Sequence, residues 1–144
     1  PVFYLPGVGR NLNWWTYGLS LRVLDPLARQ SDAIFSTWLY PDGVAATRLA
    51  SACGVPAWIM VQGSDAFHLG NSLRRSVILD ACQKAQGIVC VWKGLADRLV
   101  DAGVDSKKVH VVPNGVHTGR FRYRAKEDAF RQLLEQGVFE RIGP

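Results

Sequence analysis

An apolar run in the middle of the chain ends abruptly in four polar or small residues. In the stretch AWIMVQGSDAF, residues 57–67, five apolar side chains are followed by Gln62, Gly63, Ser64 and Asp65. Glycine lets a ligand approach the backbone closely, Gln and Ser offer neutral hydrogen bonds, and Asp65 supplies the single charge of the four. These residue types can bind a hydroxyl-bearing ligand.

Similar stretches follow three other apolar runs. Trp38 and Asp42 lie in TWLYPDG, Asn114 and Gly115 lie in VPNGV, and VWKG follows GIVC. Each residue has a structural role as the alternative to ligand contact. Helix capping is the favoured role for Asp42, gap filling for Trp38, and a turn with positive φ for Gly115.

Neither a metal site nor a covalent nucleophile is indicated. The histidines share no metal-ligand spacing and form no Ser-His-Asp or Cys-His arrangement; they are His68, His110 and His117. The cysteines lie singly in apolar surroundings, without a C-x-x-C pair; they are Cys53, Cys82 and Cys90. We therefore predict buried thiols in a reducing compartment, and no resident cofactor.

Apolar periodicity divides the chain into alternating helices and strands. Helices are predicted at 19–30 and at 71–86, the second with caps at Asn71 and Ser72. Two more predicted helices end at Gly54 and at Gly103. Strands are predicted at 32–38, 57–61, 87–92 and 109–112. Phe130, Leu133 and Leu134 indicate one further helix near the end of the chain.

Short, nearly unbroken apolar strands that alternate with helices are typical of a parallel sheet covered on both faces. The predicted fold is therefore an α/β, doubly wound parallel sheet. The carboxyl ends of parallel strands share one edge, and ligands bind in the crevice outside it. The Gln62–Asp65 stop thus predicts the mouth of a binding site.

Composition agrees with one soluble domain. The chain has 144 residues, 48% of them hydrophobic, which suffices for one core. It contains no apolar run of about 18 residues, and its first residues lack the order of a signal peptide, so we expect a cytoplasmic location. The net charge of +5 favours acidic partners.

The ordered set WLYPDGVAA, VPAWIMVQGSDAF, VWKGLADRLVDAGV and KVHVVPNGVHTGRF resembles the acceptor-side N-terminal domain of the family 4 glycosyltransferases. The resemblance runs from about residue 32 to residue 121. It implies a Rossmann-like lobe of the two-lobe, retaining GT-B architecture. The turn Tyr40–Gly43 is most similar to members that build cell-envelope polysaccharides.

The resemblance has departures. Gln62 stands where the family commonly has His, and His117 where it commonly has Asp, while Trp92 stands where a Ser often follows the third strand. A Gln cannot carry a proton at neutral pH, so no acid or base role passes to position 62. The family's first strand and its donor-binding domain find no counterpart in the 144 residues. The implied organisation is an incomplete acceptor-side domain at 1–121, followed by a linker and helix at 122–144.

The implied function is transfer of a sugar from a nucleotide-sugar, which is a co-substrate, to a cell-envelope glycan or lipid-linked acceptor. The isolated chain is expected to be inactive. Substrate contacts are expected from Gln62, Gly63, Ser64, Asp65, Asp42, Trp38, Asn114 and Gly115, with no certain catalytic residue. Two further partners are candidates. One is a membrane surface, which would place the chain at the inner face of the membrane, and the other is a second copy of the chain, bound through an exposed sheet edge.

Two alternatives stay open. The stretch GRFRYRAK, residues 119–126, interleaves arginines with aromatic residues, as a nucleic-acid-binding module does, although no nucleic acid is expected as a partner. A sugar-nucleotide epimerase of the same architecture is the other.

The role of Asp65 is tested separately. Because Asn71 and Ser72 cap the next helix, we expect Asp65→Ala to lower the stability of the domain by about 1 kcal/mol at most and to lower turnover of the complete enzyme about a hundredfold.

Overall fold

The computed structural model describes residues 6–137, in which four parallel strands form one sheet. The strands lie side by side in chain order, and each pairs in parallel with the next. They are β1 (Ile34–Ser36), β2 (Ala57–Val61), β3 (Gly87–Cys90) and β4 (Val109–Val111). The predicted strands are confirmed, β2 with the predicted bounds and the other three with shorter ones.

Helices alternate with these strands, as expected for a parallel sheet. They are α1 (Asn13–Leu21), α2 (Asp25–Ala28), α3 (Val44–Cys53), α4 (Ser72–Lys84), α5 (Lys93–Asp101) and α6 (Lys126–Glu135). The helix predicted at 19–30 begins earlier and is interrupted by a 3-10 turn at Arg22–Leu24. Further 3-10 turns occupy Gly7–Leu12, Ser64–Gly70 and Ser106–Lys108.

The helix ends follow the predicted chemistry. Gly54 ends α3 with φ of 74°, and Gly103 follows α5 with φ of 108°, a region that side-chain-bearing residues rarely adopt. Asn71 caps α4 by accepting a 3.1 Å hydrogen bond from the backbone N–H of Arg74. At the other end of α4, the Lys108 ammonium donates to the carbonyl oxygens of Gln83 and Ala85. A cation at this end also complements the helix dipole.

The core lies on one face of the sheet. Ile59, Val61, Ile88 and Cys90 are fully buried there, packed in one cluster with α4 and α5 side chains such as Leu99. Strands in chain order with right-handed crossovers place α3, α4 and α5 on the same face. The predicted α/β class, a Rossmann-like lobe, is confirmed.

The opposite face is less covered by the described residues. Phe35 on this face is 56% exposed. Trp58, Met60 and Val89 are only partly buried, and they share the face because β-strand side chains alternate. Gly87 makes room for Trp58, since a Cβ there would come within 2.3 Å of the indole ring.

Two compact units divide the chain, with the boundary between Pro113 and Asn114. The second unit contains α6, which confirms the helix indicated near the end of the chain. Phe130, Leu133 and Leu134 are all exposed on it. The domain boundary at residue 121 stays a prediction. Among residues 6–137 we find no helix with the length and apolar character that crossing a membrane requires.

Candidate functional site

The buried carboxylate of Asp65 joins the loops that follow β1 and β2. Its Oδ2 accepts a 3.0 Å hydrogen bond from the backbone N–H of Leu39, and its Oδ1 a 2.8 Å bond from Gly63. The N–H of Gln62 lies 3.3 and 3.4 Å from the two oxygens. Asp65 is 1% exposed. The expectation that Asp65 contributes little to the stability of the domain is therefore wrong.

Gln62 bridges the same two loops above Asp65. Its Nε2 donates a 2.7 Å hydrogen bond to the carbonyl oxygen of Thr37, in the loop after β1. A carbonyl can only accept, so this contact orients the amide and directs its nitrogen to Thr37. The side chain is exposed. Its amide oxygen can therefore accept a hydrogen bond from a hydroxyl group of a ligand.

Gly63 and Ser64 complete the turn. Gly63 has φ of 144° and ψ of −72°, a conformation that is essentially confined to glycine. An added Cβ would meet nothing within 4 Å, so the backbone conformation rather than space requires a glycine here. Ser64 begins the 3-10 turn Ser64–Gly70 and is exposed. The turn therefore exposes the Ser64 hydroxyl and, at Gly63, a backbone that a ligand can approach closely.

Trp38 and Asp42 lie beyond the end of β1. Trp38 is 40% exposed, and its carbonyl accepts a 2.9 Å hydrogen bond from the Ser36 hydroxyl. The residue at the N-cap of α3 is Gly43, and no side chain caps this helix, so the capping role favoured for Asp42 is wrong. Asp42 instead lines a cavity of about 240 Å³ beside β1, together with Thr37.

Asn114 and Gly115 belong to the second compact unit. Both are exposed. Neither has a positive φ, so the turn with positive φ expected at Gly115 is wrong. Their participation in the substrate site stays a prediction.

Sequence reasoning missed a polar cluster on the 3-10 turn Gly7–Leu12, on the loops after β1 and β2, and at the start of α4. Arg74 donates 2.7 Å hydrogen bonds from Nε to Asn11 Oδ1 and from Nη1 to His68 Nδ1. Its guanidinium carbon lies 5.3 Å from the Tyr40 ring centroid, and the His68 and Tyr40 rings are 5.0 Å apart. The sequence tests His68 only as a metal ligand or as part of a Ser-His-Asp or Cys-His arrangement, and no periodicity links positions 11, 40, 68 and 74.

Burial dominates the protonation behaviour of this cluster. It lowers the pKa of His68 below 6.5, the Arg74 charge lowers it further, and the Asp65 carboxylate opposes both. Burial raises the pKa of Tyr40, while the Arg74 charge and backbone hydrogen bonds from Trp14 and Asn13 act in the opposite direction. The cluster therefore favours a neutral imidazole and a neutral phenol.

The cysteines are free thiols, as predicted. Burial, with Cys90 as a second cause, raises the pKa of Cys82 to about 12. Burial and the Asp65 carboxylate raise the pKa of Cys90 to about 11. Such thiols are poor nucleophiles because the reactive species is the thiolate. Cys53 is only partly buried.

Over the part of the chain that the structure describes, no group of three or more His, Cys, Asp or Glu side chains could hold a metal ion.

Fold and site together define a class. A four-stranded parallel sheet flanked by helices is a Rossmann-like lobe, and proteins of this class bind their ligands at the carboxyl edge of the sheet. The family model described as Glycosyltransferase Family 4 matches residues 1–120. The chain belongs to this family and is a glycosyltransferase domain. A comparison with curated proteins finds no match.

Proposed function

We propose that this chain is the acceptor-side lobe of a retaining glycosyltransferase that transfers a sugar from a nucleotide-sugar to a cell-envelope glycan or lipid-linked acceptor. The observation that carries the proposal is the pair of loops tied by Asp65 and Gln62 at the carboxyl edge. That edge is where ligands bind in open parallel sheets. The family match favours this function over the nucleic-acid and epimerase alternatives.

In this proposal Gln62, Gly63 and Ser64 form an exposed rim that contacts the acceptor. The buried carboxylate of Asp65 positions this rim. Gln62 and Ser64 hydrogen-bond the sugar hydroxyls, while Gly63 allows close approach. Asp65, at 1% exposure with three backbone partners, acts through the loops. Trp38 and Asp42 are proposed as further contacts around this rim, and Asn114 and Gly115 as further substrate contacts.

Donor binding and stabilisation of the departing nucleotide are assigned to a second lobe, distinct from the domain that the family match covers at residues 1–120. The rim residues Gln62, Gly63 and Ser64 have no group that can exchange a proton at neutral pH. We therefore expect the isolated chain to be inactive. Its dissociation constant for UDP- or GDP-sugars should be on the order of 1 mM or weaker, and calorimetry showing micromolar binding would contradict this assignment.

An exposed apolar stripe supports the proposed contact with a membrane surface. Its exposed side chains are spaced three or four residues apart, from the residue before α1, through α1 and the 3-10 turn Arg22–Leu24, to α2; they are Leu12, Trp15, Leu19, Val23 and Leu27. Arg22 and Arg29 are exposed on the same segment. Apolar and Trp side chains beside arginines are typical of segments that lie in an anionic bilayer interface.

Membrane binding is tested by co-sedimentation of the chain with vesicles of phosphatidylglycerol or of phosphatidylcholine. We expect selective binding to phosphatidylglycerol, and loss of that binding in Trp15→Ser. The matched control is Trp92→Ser, which removes an equally exposed indole from the start of α5. Equal binding by both variants would remove the membrane from the proposal.

The acceptor role is tested by saturation-transfer NMR of the chain with oligosaccharide fragments of envelope polysaccharides. Transfer to the sugar should weaken in Gln62→Ala and persist in Gln83→Ala, whose exposed side chain lies on α4. Sugar binding that is indifferent to Gln62 would argue against an acceptor site at this rim.

A further inference from the structure

Side chains of α1, α2 and α3 line a cavity of about 320 Å³, a volume in the range of small-molecule sites. Trp15 and Leu19, two members of the exposed apolar stripe, form part of its wall. Arg22 and Arg48 line the same cavity, and both are exposed. The cavity therefore adjoins the surface that the proposed function places against the membrane.

Arg48 is positioned by stacking on an indole. Its guanidinium carbon lies 3.9 Å from the centroid of the Trp14 ring, which also lines the cavity. A stacked guanidinium turns its face to the ring, while its N–H groups lie in the guanidinium plane and can still donate. Within residues 6–137, neither Arg48 nor Arg22 forms an ion pair or a side-chain hydrogen bond. Two charged donors on one cavity are therefore open to a ligand.

Asp25 sets the charge balance of the cavity. It is the one carboxylate among the described lining residues, so two arginines and one aspartate give the lining a formal charge of +1. Asp25 forms no ion pair within residues 6–137, and its enclosed Oδ1 has no hydrogen-bond partner there. A phosphodiester carries a single negative charge and balances this lining. A phosphate monoester carries about −1.5 to −2 at pH 7, and Asp25 would repel the excess.

We propose that this cavity binds the phosphodiester headgroup of an anionic phospholipid. The inference rests on the proposed function, because it names the lipid partner of the membrane contact. Arg22 and Arg48 donate to the phosphate oxygens, while Trp15 and Leu19 contact the glycerol and the first methylene groups of the acyl chains. The choline of phosphatidylcholine would bring a further cation beside the two guanidinium groups, so the site favours a headgroup without one.

The site is tested with dihexanoyl-phosphatidylglycerol below its micelle concentration, so that binding to a bilayer does not contribute. NMR titration of the 144-residue chain should give saturable shifts of the Trp14 and Trp15 indole N–H signals. Arg48→Gln should weaken binding at least about tenfold, the loss of one charge-assisted contact. Arg29→Gln is the matched control, because Arg29 is also exposed but lies outside the cavity and bonds the Ala52 carbonyl. This control should bind within about twofold of wild type.

Several results would overturn the site. They are indole signals that do not move, unchanged binding by Arg48→Gln, or an equal loss in Arg29→Gln, which would indicate attraction to a diffuse basic surface. If Arg48→Gln does not fold, Ala52→Phe narrows the cavity from an exposed position and keeps every charge. It should also weaken binding, and wild-type affinity in this variant would contradict the proposal.

Two further ligands test the assignment to an anionic lipid. Inorganic phosphate and dihexanoyl-phosphatidylcholine should each bind at least about tenfold more weakly than the phosphatidylglycerol, and equal affinity of either would contradict the proposal. Binding to vesicles without binding of the monomeric lipid would remove the site and leave the membrane contact. Headgroup binding by a chain that binds no sugar at Gln62 would leave the site and remove the acceptor role.

Discussion

The carboxylate of Asp65 accepts a 3.0 Å hydrogen bond from the backbone N–H of Leu39, 26 residues earlier in the chain. Leu39 is fully buried, so its N–H has no access to water. The same carboxylate also bonds Gly63 at 2.8 Å. One buried side chain thus fixes the relative positions of the two loops that form the rim of the candidate site.

Asp65→Ala is expected to lower the free energy of unfolding by about 3 kcal/mol or more, because it leaves several backbone donors unsatisfied. This replaces the expectation of about 1 kcal/mol from the sequence. Urea denaturation measures the difference. Asp97→Ala, which removes an exposed ion pair with Lys93, is the control and should cost no more than about 0.5 kcal/mol. A cost below about 1 kcal/mol for Asp65→Ala would show that the loops do not need this tie.

Gly63→Ala should destabilise the domain by about 1–3 kcal/mol through backbone strain. The space around Gly63 is open, so the cost arises from its φ of 144° and not from a clash. Gly115→Ala is the matched control, because Gly115 also has open space but no positive φ. Thermal unfolding of the two variants separates the effects, and similar melting temperatures would refute the strain argument.

Gln62→Ala should reduce turnover of the complete enzyme about tenfold or more, since a polar contact to the acceptor is lost. Stability should change by less than about 1 kcal/mol, because the side chain is exposed. Steady-state kinetics with Gln83→Ala alongside provides the comparison. Turnover within a few-fold of wild type for Gln62→Ala would exclude the contact.

Lowering the pH should destabilise the domain through His68. Its pKa in the folded chain is below 6.5 because of burial and Arg74, so the unfolded chain takes up a proton first as the pH falls. The contribution of neutral His68 is complete above about pH 6.5 and declines below it. Denaturation at pH 7.5 and 5.5 should show a larger loss for wild type than for His68→Gln. Equal losses would mean that His68 does not couple to folding.

The first strand offers a surface for self-association. Among residues 6–137, β1 pairs only with β2, so its other edge has no strand partner there, and Phe35 is exposed beside it. We expect a concentration-dependent dimer in sedimentation velocity, weakened by Phe35→Lys. Phe121→Lys, at an exposed aromatic in the second unit, should leave it unchanged. A wild-type monomer at high concentration would show that this edge does not self-associate.

The order of helices and strands, the ends of α3 and α5, and the family were all predictable from the sequence. These features depend on local information. Apolar periodicity reports which face of an element is buried, and Gly54 and Gly103 stop helices through their own backbone preferences. The Gln62–Asp65 turn was also locatable, because a polar stop after an apolar strand marks the strand's carboxyl end.

The roles of individual side chains in the site were decided by tertiary structure. Asp65 bonds Leu39, and Arg74 bonds Asn11 across 63 residues, so neither partner could be read from local spacing. Asp42 has the residue type of a helix cap, yet the N-cap residue of α3 is Gly43, and no side chain caps the helix. Residue type sets which hydrogen bonds a side chain can make. Which of them form depends on the paths of loops that meet only after the parallel strands have paired.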